Sequence, residues 1–181
     1  MGADHQQERL WRTEAARWFL AGFIEGEGAL CVGIKQHPTT RSGFHVHPEF
    51  FLYQHVSGRR LLELAQAIFQ AGSIYSKSGN PSVLVYAVTS RQVIATRVVP
   101  FFERYVLPFT CKRETLIRFR EIVELMRAKE HHMPRGLVRI VEKAYAMNPA
   151  HKGRKRLRPL AQVRTRILRD CTPDPHASHE A

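Results

Sequence analysis

One stretch near the N-terminus constrains the fold more than any other. Residues Thr13 to about Glu25, TEAARWFLAGFIE, are mostly Ala, Leu, Phe and Trp, and the breaker-rich Gly26-Glu27-Gly28 follows. Such a run forms a helix. Its apolar surface is too wide for a helix with one face in water, so it must be buried against a partner. Gly22 and Gly26 stand four residues apart on one side of it. Without a Cβ at either position, the backbone of a second helix can approach closely there.

The segments that follow alternate between two periods. ALCVGIKQH reads as a strand, PTTRSG as a turn or short loop, and FHVHPEFFLYQ as a second strand. In that second strand Val46, Pro48, Phe50 and Leu52 share a dry side, while His45, His47, Glu49 and Phe51 share a wet one. Ser57 is placed to cap a helix through about Gln70, closed by Gly72. SIYSK, a turn at SGNP, and SVLVYAVT make a second hairpin. The fourth strand is apolar at nearly every position, so its phase stays open.

Helices follow in RQVIATRVVPFFERY after Ser90, in CKRETLIRFREIVELMRAKE after Thr110, and in GLVRIVEKAYAMN with Pro134 in its first turn. The pattern predicts an α+β fold in which two hairpins form a sheet with helices on one side and the other side free for a partner. Three parts are expected: an N-terminal arm over 1–12, a domain over 13–148, and a basic C-terminal extension over 149–181. The extension holds the cationic run PAHKGRKRLRP, a short helix and a disordered polar end.

The 181 residues carry 28 Lys and Arg against 16 Asp and Glu, a formal charge of +12. That balance favours a polyanion as partner. Cys31, Cys111 and Cys171 are odd in number and widely spaced, as expected of a reduced intracellular protein. The charged first residues lack a signal-like apolar segment and no apolar run reaches the length of a membrane span. The expectation is a protein without a membrane partner, in a bacterial cytoplasm or an organelle. Among the 10 histidines, His131-His132 and the others lack metal-ligand spacing.

Leu20 to Gly28 read LAGFIEGEG, which resembles the nine-residue LAGLIDADG signature with Glu at both acidic positions. Alone, these nine residues also describe a helix with a glycine-rich cap. The resemblance extends over about residues 11 to 148. It includes FFLYQ before a helix, then FFE, Tyr-x-Leu, Thr-x-Lys, an F-x-x-I-V-x-L-M helix and a Gly-Leu helix ending in Met-Asn. The chain is therefore identified as a single-motif member of the LAGLIDADG homing endonucleases. The resemblance implies an α-β-β-α-β-β-α core with a saddle-shaped antiparallel sheet and extra C-terminal helices.

Because the signature occurs once, it implies a homodimer seamed by Phe19, Gly22, Phe23 and Gly26, and hence a roughly palindromic double-stranded DNA target. Two copies of Glu27 then emerge side by side, and paired carboxylates suit hard divalent cations. The resemblance gives Glu27 and the Gly26 carbonyl as metal ligands, with Gln54 and Lys112 around the attacking water. It implies Mg2+, with Mn2+ substituting and Ca2+ supporting binding without cleavage. If the wet strand faces enter the major groove, alternation selects Gly33, Lys35 and His37, then His45, His47 and Glu49, then Ser73, Tyr75 and Lys77. Arg41 in the intervening loop reaches phosphate or an outlying base.

Other functions fit the same surface. An intron maturase, which helps host intron RNA fold, would use the basic face without needing the metal site. A DNA-binding regulator on a dead nuclease scaffold would have lost the acidic and lysine positions, which this chain keeps.

Overall fold

The computed structural model describes residues 10–38, 40, 42–147 and 158–169. Helix α1 spans Glu14–Glu27, with Thr13 as N-cap accepting from the Ala16 N–H at 3.2 Å. It continues two residues past the Glu25 expected from sequence. There it passes without a loop into β1, Gly28–Gln36. Gly28 makes this junction possible: its N–H closes the helix on the Ile24 carbonyl, and a Cβ there would collide with that carbonyl.

Strand β2, Phe44–His55, pairs with β1 from Gln36↔Phe44 to Gly28↔Leu52. A 3-10 turn, Val56–Gly58, then leads into α2, Arg59–Phe69. This corrects the expected Ser57 cap. Ser57 lies inside the turn, where the His55 ring accepts from its N–H at 3.3 Å, and Gly58 precedes α2 with no side-chain cap. Gln70 takes a left-handed φ of 49° to end the helix, before Gly72.

Strands β3, Ser73–Lys77, and β4, Asn80–Val88, complete an antiparallel sheet ordered β1-β2-β4-β3. The pairings Phe51↔Ala87 and Tyr53↔Val85 settle the phase left open by β4's composition. Val83, Val85 and Ala87 share the side of the wet β2 residues, and Leu84, Tyr86 and Val88 lie under the helices.

Residues 91–106 form one continuous helical segment, α3, capped by Ser90, in which Ile94–Val98 and Phe102–Val106 are π-turns. Pro100 sits between the two wide turns, as expected of a residue that removes a ladder donor and crowds the preceding turn. Helix α4 runs Arg113–Arg127 and α5 Pro134–Met147. The start of α4 falls later than expected because Thr110 does not cap it: Lys112 is the N-cap, and the Thr110 hydroxyl is engaged elsewhere.

The core lies between the helices and one sheet face. Phe50, Leu52, Phe69 and Tyr86 are at most 1% exposed, and Phe50 meets Phe102 edge-on at 5.2 Å. The Tyr86 hydroxyl donates to the Ala71 carbonyl at 2.8 Å, and burial pushes its phenol far up from its ordinary pKa. Along β2 burial alternates residue by residue from Phe44 to Leu52, as the dry and wet sides require.

Helix α6, Leu160–Arg169, packs on α5 with Val163 and Ile167 buried. Arg166 lies over the Phe44 ring at 5.7 Å, so α6 also touches the β1–β2 turn. Ile167→Ala should lower stability by about 2–4 kcal/mol in urea titrations, the usual loss for a fully buried aliphatic residue. An unchanged midpoint would show that α6 is not part of the cooperative core.

Candidate active site and nucleic-acid face

Helix α1 has two occupied sides. Leu20, Ala21 and Ile24 are buried in the core. On the opposite side Phe19 is 60% exposed, with Trp18, Gly22 and Gly26 also exposed and Phe23 half-buried. A Cβ added at Gly22 or Gly26 would meet nothing within 4 Å. No packing among the described residues therefore requires glycine at either position, although each lowers helix propensity by about 1 kcal/mol relative to Ala.

The end of α1 is tied to the segment before α4 by one acidic side chain that the sequence reading passed over. Glu25 accepts from the Thr110 hydroxyl at 2.6 Å, from the Cys111 N–H at 3.2 Å and from the Cys111 thiol at 3.1 Å. Partial burial pushes this carboxyl up, but those hydrogen bonds and the Lys112 charge outweigh it and hold the pKa below its ordinary value. The Cys111 thiol is pushed up in turn by donating to Glu25 and by that carboxylate's charge. The signal available in sequence was the first acidic position of the nine-residue signature.

Lys112 is positioned by the same tie. Its N–H donates to the Thr110 hydroxyl at 3.0 Å, and its Nζ donates to the Glu25 carbonyl at 2.8 Å. The ammonium thus sits on the last turn of the helix that ends at Glu27. A helix leaves its last carbonyls without intrahelical partners. Gly28 takes that of Ile24 and Lys112 that of Glu25, and the carbonyls of Gly26 and Glu27 come next.

The Glu27 side chain is exposed and makes no hydrogen bond or ion pair among the described residues. A free carboxylate beside backbone carbonyls is an oxygen donor set of the kind hard divalent cations take. Within one chain no group of three or more His, Cys, Asp or Glu that could hold a metal occurs among the described residues.

Gln54 lies two residues beyond the last β1–β2 pair, at the end of the sheet where α1 enters. It shares the helix-side parity of Leu52. Its Oε1 accepts from the His55 N–H at 2.7 Å, and its side chain lies across Gly58, where a Cβ would displace it.

The wet sheet face carries the expected residues in register: Gly33 opposite His47, Lys35 opposite His45, and Tyr75 and Ser73 opposite Val85 and Ala87. The His37 ring lies tilted beside His45, with centroids 4.5 Å apart, and His45 stacks near His47 at 5.5 Å. Burial, then the charges of His45, Lys35 and Arg91, lower the His47 pKa against an opposing pull from Glu49. The Lys77 ammonium lies over the Tyr53 ring at 5.6 Å, which brings Tyr53 into this face; Cys31, opposite Glu49, also belongs to it. Neither was selected from sequence. Arg41 and most of the run from His151 to Arg158 lie outside the described residues.

A family model described as LAGLIDADG endonuclease matches residues 20–123. The DNA endonuclease I-CeuI of Chlamydomonas moewusii is 38% identical over 128 residues, 70% of this chain and 59% of that protein. The homing endonuclease I-ApeII of Aeropyrum pernix is 29% identical over 159 residues, 87% of this chain and 93% of that protein. Among solved structures, the archaeal intron-encoded homing endonuclease I-Vdi141I complexed with DNA superposes with a TM-score of 0.79 at 28% identity, covering 87% of this chain and 98% of that one. The group I intron-encoded homing endonuclease I-CeuI complexed with DNA gives a TM-score of 0.79 at 31% identity, covering 86% and 77%.

The chain belongs to the LAGLIDADG endonuclease family, and its fold is that of the family's homing endonucleases. It spans less than two thirds of the length of I-CeuI. No helix among the described residues is long and apolar enough to cross a membrane.

The Glu25 tie has a measurable cost. Glu25→Gln should destabilise the chain by about 1 kcal/mol at pH 7, the low end for hydrogen bonds to a charged group because the site is partly exposed. Since the folded pKa is depressed, the contribution is present above the unfolded value near 4.5 and is lost as pH falls through the folded value. Wild type and variant melting temperatures should therefore converge as acidification passes the unfolded value near 4.5 and then the lower folded value. A gap that persists there would rule out an ionised Glu25 as the stabilising form.

Proposed function

We propose that the protein is a site-specific homing endonuclease, cutting both strands of a long, roughly palindromic duplex as a homodimer with magnesium. The observation that carries this reading is the convergence at the end of α1. Glu27 is free and exposed there, and Lys112 is fixed on the adjoining carbonyl by the Thr110–Glu25 tie. The named activities of the relatives support it, and they favour it over the maturase and regulator readings.

In this reading the exposed side of α1 meets its copy along Phe19, Gly22, Phe23 and Gly26. The bare glycines let the two backbones close up, and each chain brings one Glu27 to the seam. Glu27 and the Gly26 carbonyl would hold the divalent cation, which when bound supplies Lewis-acid stabilisation of the phosphodiester oxygens. Lys112 offers a fixed positive charge to the phosphate. Gln54, whose Oε1 is occupied by the His55 N–H, keeps its Nε2 donors for orienting the attacking water. Gly33, Lys35, His37, His45, His47, Glu49, Ser73, Tyr75 and Lys77 line the face that would read bases, with Arg41 extending it at the turn.

The test uses a plasmid carrying the joined sequences that flank the protein's own gene. Wild type should linearise it in magnesium and bind without cutting in calcium, while Glu27→Gln should bind and not cut. Cutting by that variant would reject the assignment of Glu27. Binding by wild type in magnesium without cutting would favour the maturase or regulator.

The seam can be examined separately. Gly22→Leu should leave the monomer folded, since a Cβ there meets nothing, yet abolish dimers in sedimentation and with them double-strand cleavage. A stable Gly22→Leu dimer would exclude this helix face as the seam.

A further inference from the structure

Strand β2 pairs with β1 from Phe44 to Leu52 but with β4 only from Phe50 to His55. Its first half therefore has an edge that no strand among the described residues covers. Two segments come alongside that edge: the first turn of α3, with Arg91, and the turn Glu130–His132 between α4 and α5. They enclose a cavity of about 250 Å³ with His45, Arg91, His131 and His132 at its wall and Phe44 and Leu137 at its floor. Thr40 and Ser42 also line it, but their hydroxyls donate to the His37 and Phe44 carbonyls.

The hydrogen bonding inside this cavity is incomplete. Arg91 approaches His131 Nε2 at 3.1 Å, and a guanidinium can only donate, so Nε2 accepts and the ring proton is on Nδ1. That Nδ1 is buried and has no partner. A buried donor without an acceptor is unfavourable, and the exposed Arg91 and His132 beside it are the groups that can donate to an anion in the cavity. Burial first, then the neighbouring charges of His132, Arg91 and His45, lower the His131 pKa. The nearest carboxylate on the same turn, Glu130, is neutralised by Arg139 at 2.7 Å. Glu49 is the acidic group on the adjoining strand and acts on His47.

The position suits a duplex lying along the sheet. His45 is opposite Lys35, seven residues along β1 from Gly28. At about 3.3 Å per residue that is roughly 23 Å, or about seven base-pair steps of 3.4 Å. We infer that Arg91, His131 and His132, beside the base-reading His45, form a phosphate site that grips the DNA backbone at the outer part of each half-site. This rests on the nuclease reading and adds to the base-reading face a contact that fixes register without reading sequence.

Binding to a random-sequence 30-base-pair duplex in EDTA tests it, through the slope of log affinity against log salt. Arg91→Gln should reduce the slope by about 0.9 for each protomer, about 1.8 for a dimer. Arg91→Lys should keep it, as should Lys143→Gln, whose side chain pairs with Glu121 on the α4–α5 surface. In wild type, the His131 ring resonances should shift on adding duplex and return at high salt, a readout that needs no variant. A folded Arg91→Gln with the wild-type slope, or His131 resonances that ignore duplex, would overturn the site while leaving the nuclease reading intact. Shifts with inorganic phosphate but not with duplex would make it a free-anion site and overturn the DNA assignment. A wild type that binds no duplex would instead remove the nuclease reading and this inference together.

Discussion

The structure depends on helix α1 being apolar on two sides at once. Leu20, Ala21 and Ile24 face the core of their own chain, whereas Phe19, Gly22 and Gly26 face outward, and no described residue would meet a Cβ at either glycine. A single chain can satisfy the first set only. The outward glycines weaken the isolated helix and gain their use when another backbone lies against them, so the inferred second copy completes a packing problem that one chain leaves half solved.

The residues of the proposed site gather at the end of this helix for local reasons. Thr110 interrupts the approach to α4, which lets its hydroxyl reach Glu25 and turns the following backbone so that Lys112 returns to the helix end. Glu25 is thereby consumed in architecture and Glu27 left free. Glu25 and Glu27 are two steps apart, about 200° around the helix, so their side chains leave on opposite flanks and only Glu25 meets the segment before α4.

Much of this was legible in the sequence. The alternation in β2 correctly separated Phe50 and Leu52 from His47 and Glu49, because a half-buried strand has a period that composition cannot hide. β4 gave no such signal. Val85 and Ala87 are buried although they share the parity of the wet β2 residues, so both of its sides are apolar and only pairing fixes the phase. Ser57 and Thr110 were misjudged as caps for a common reason: a hydroxyl near a helix start has several possible partners, and here a histidine ring and a distant carboxylate reorganised the turns. Arg91 and His131 lie 40 residues apart in sequence and meet beside the uncovered edge of β2, a juxtaposition no local pattern contains.

The direct passage of α1 into β1 through Gly28 has a mechanical consequence. With no loop between them, a strand proposed to read bases would be a rigid arm whose pivot is the proposed seam. In the proposed dimer, the separation and tilt of the two faces would be set by how two helices cross, so the molecule would act as a caliper of fixed opening. The spacing between half-sites would then be a property of backbone geometry at the glycines, and new base preferences could evolve along the arms without resetting that measurement.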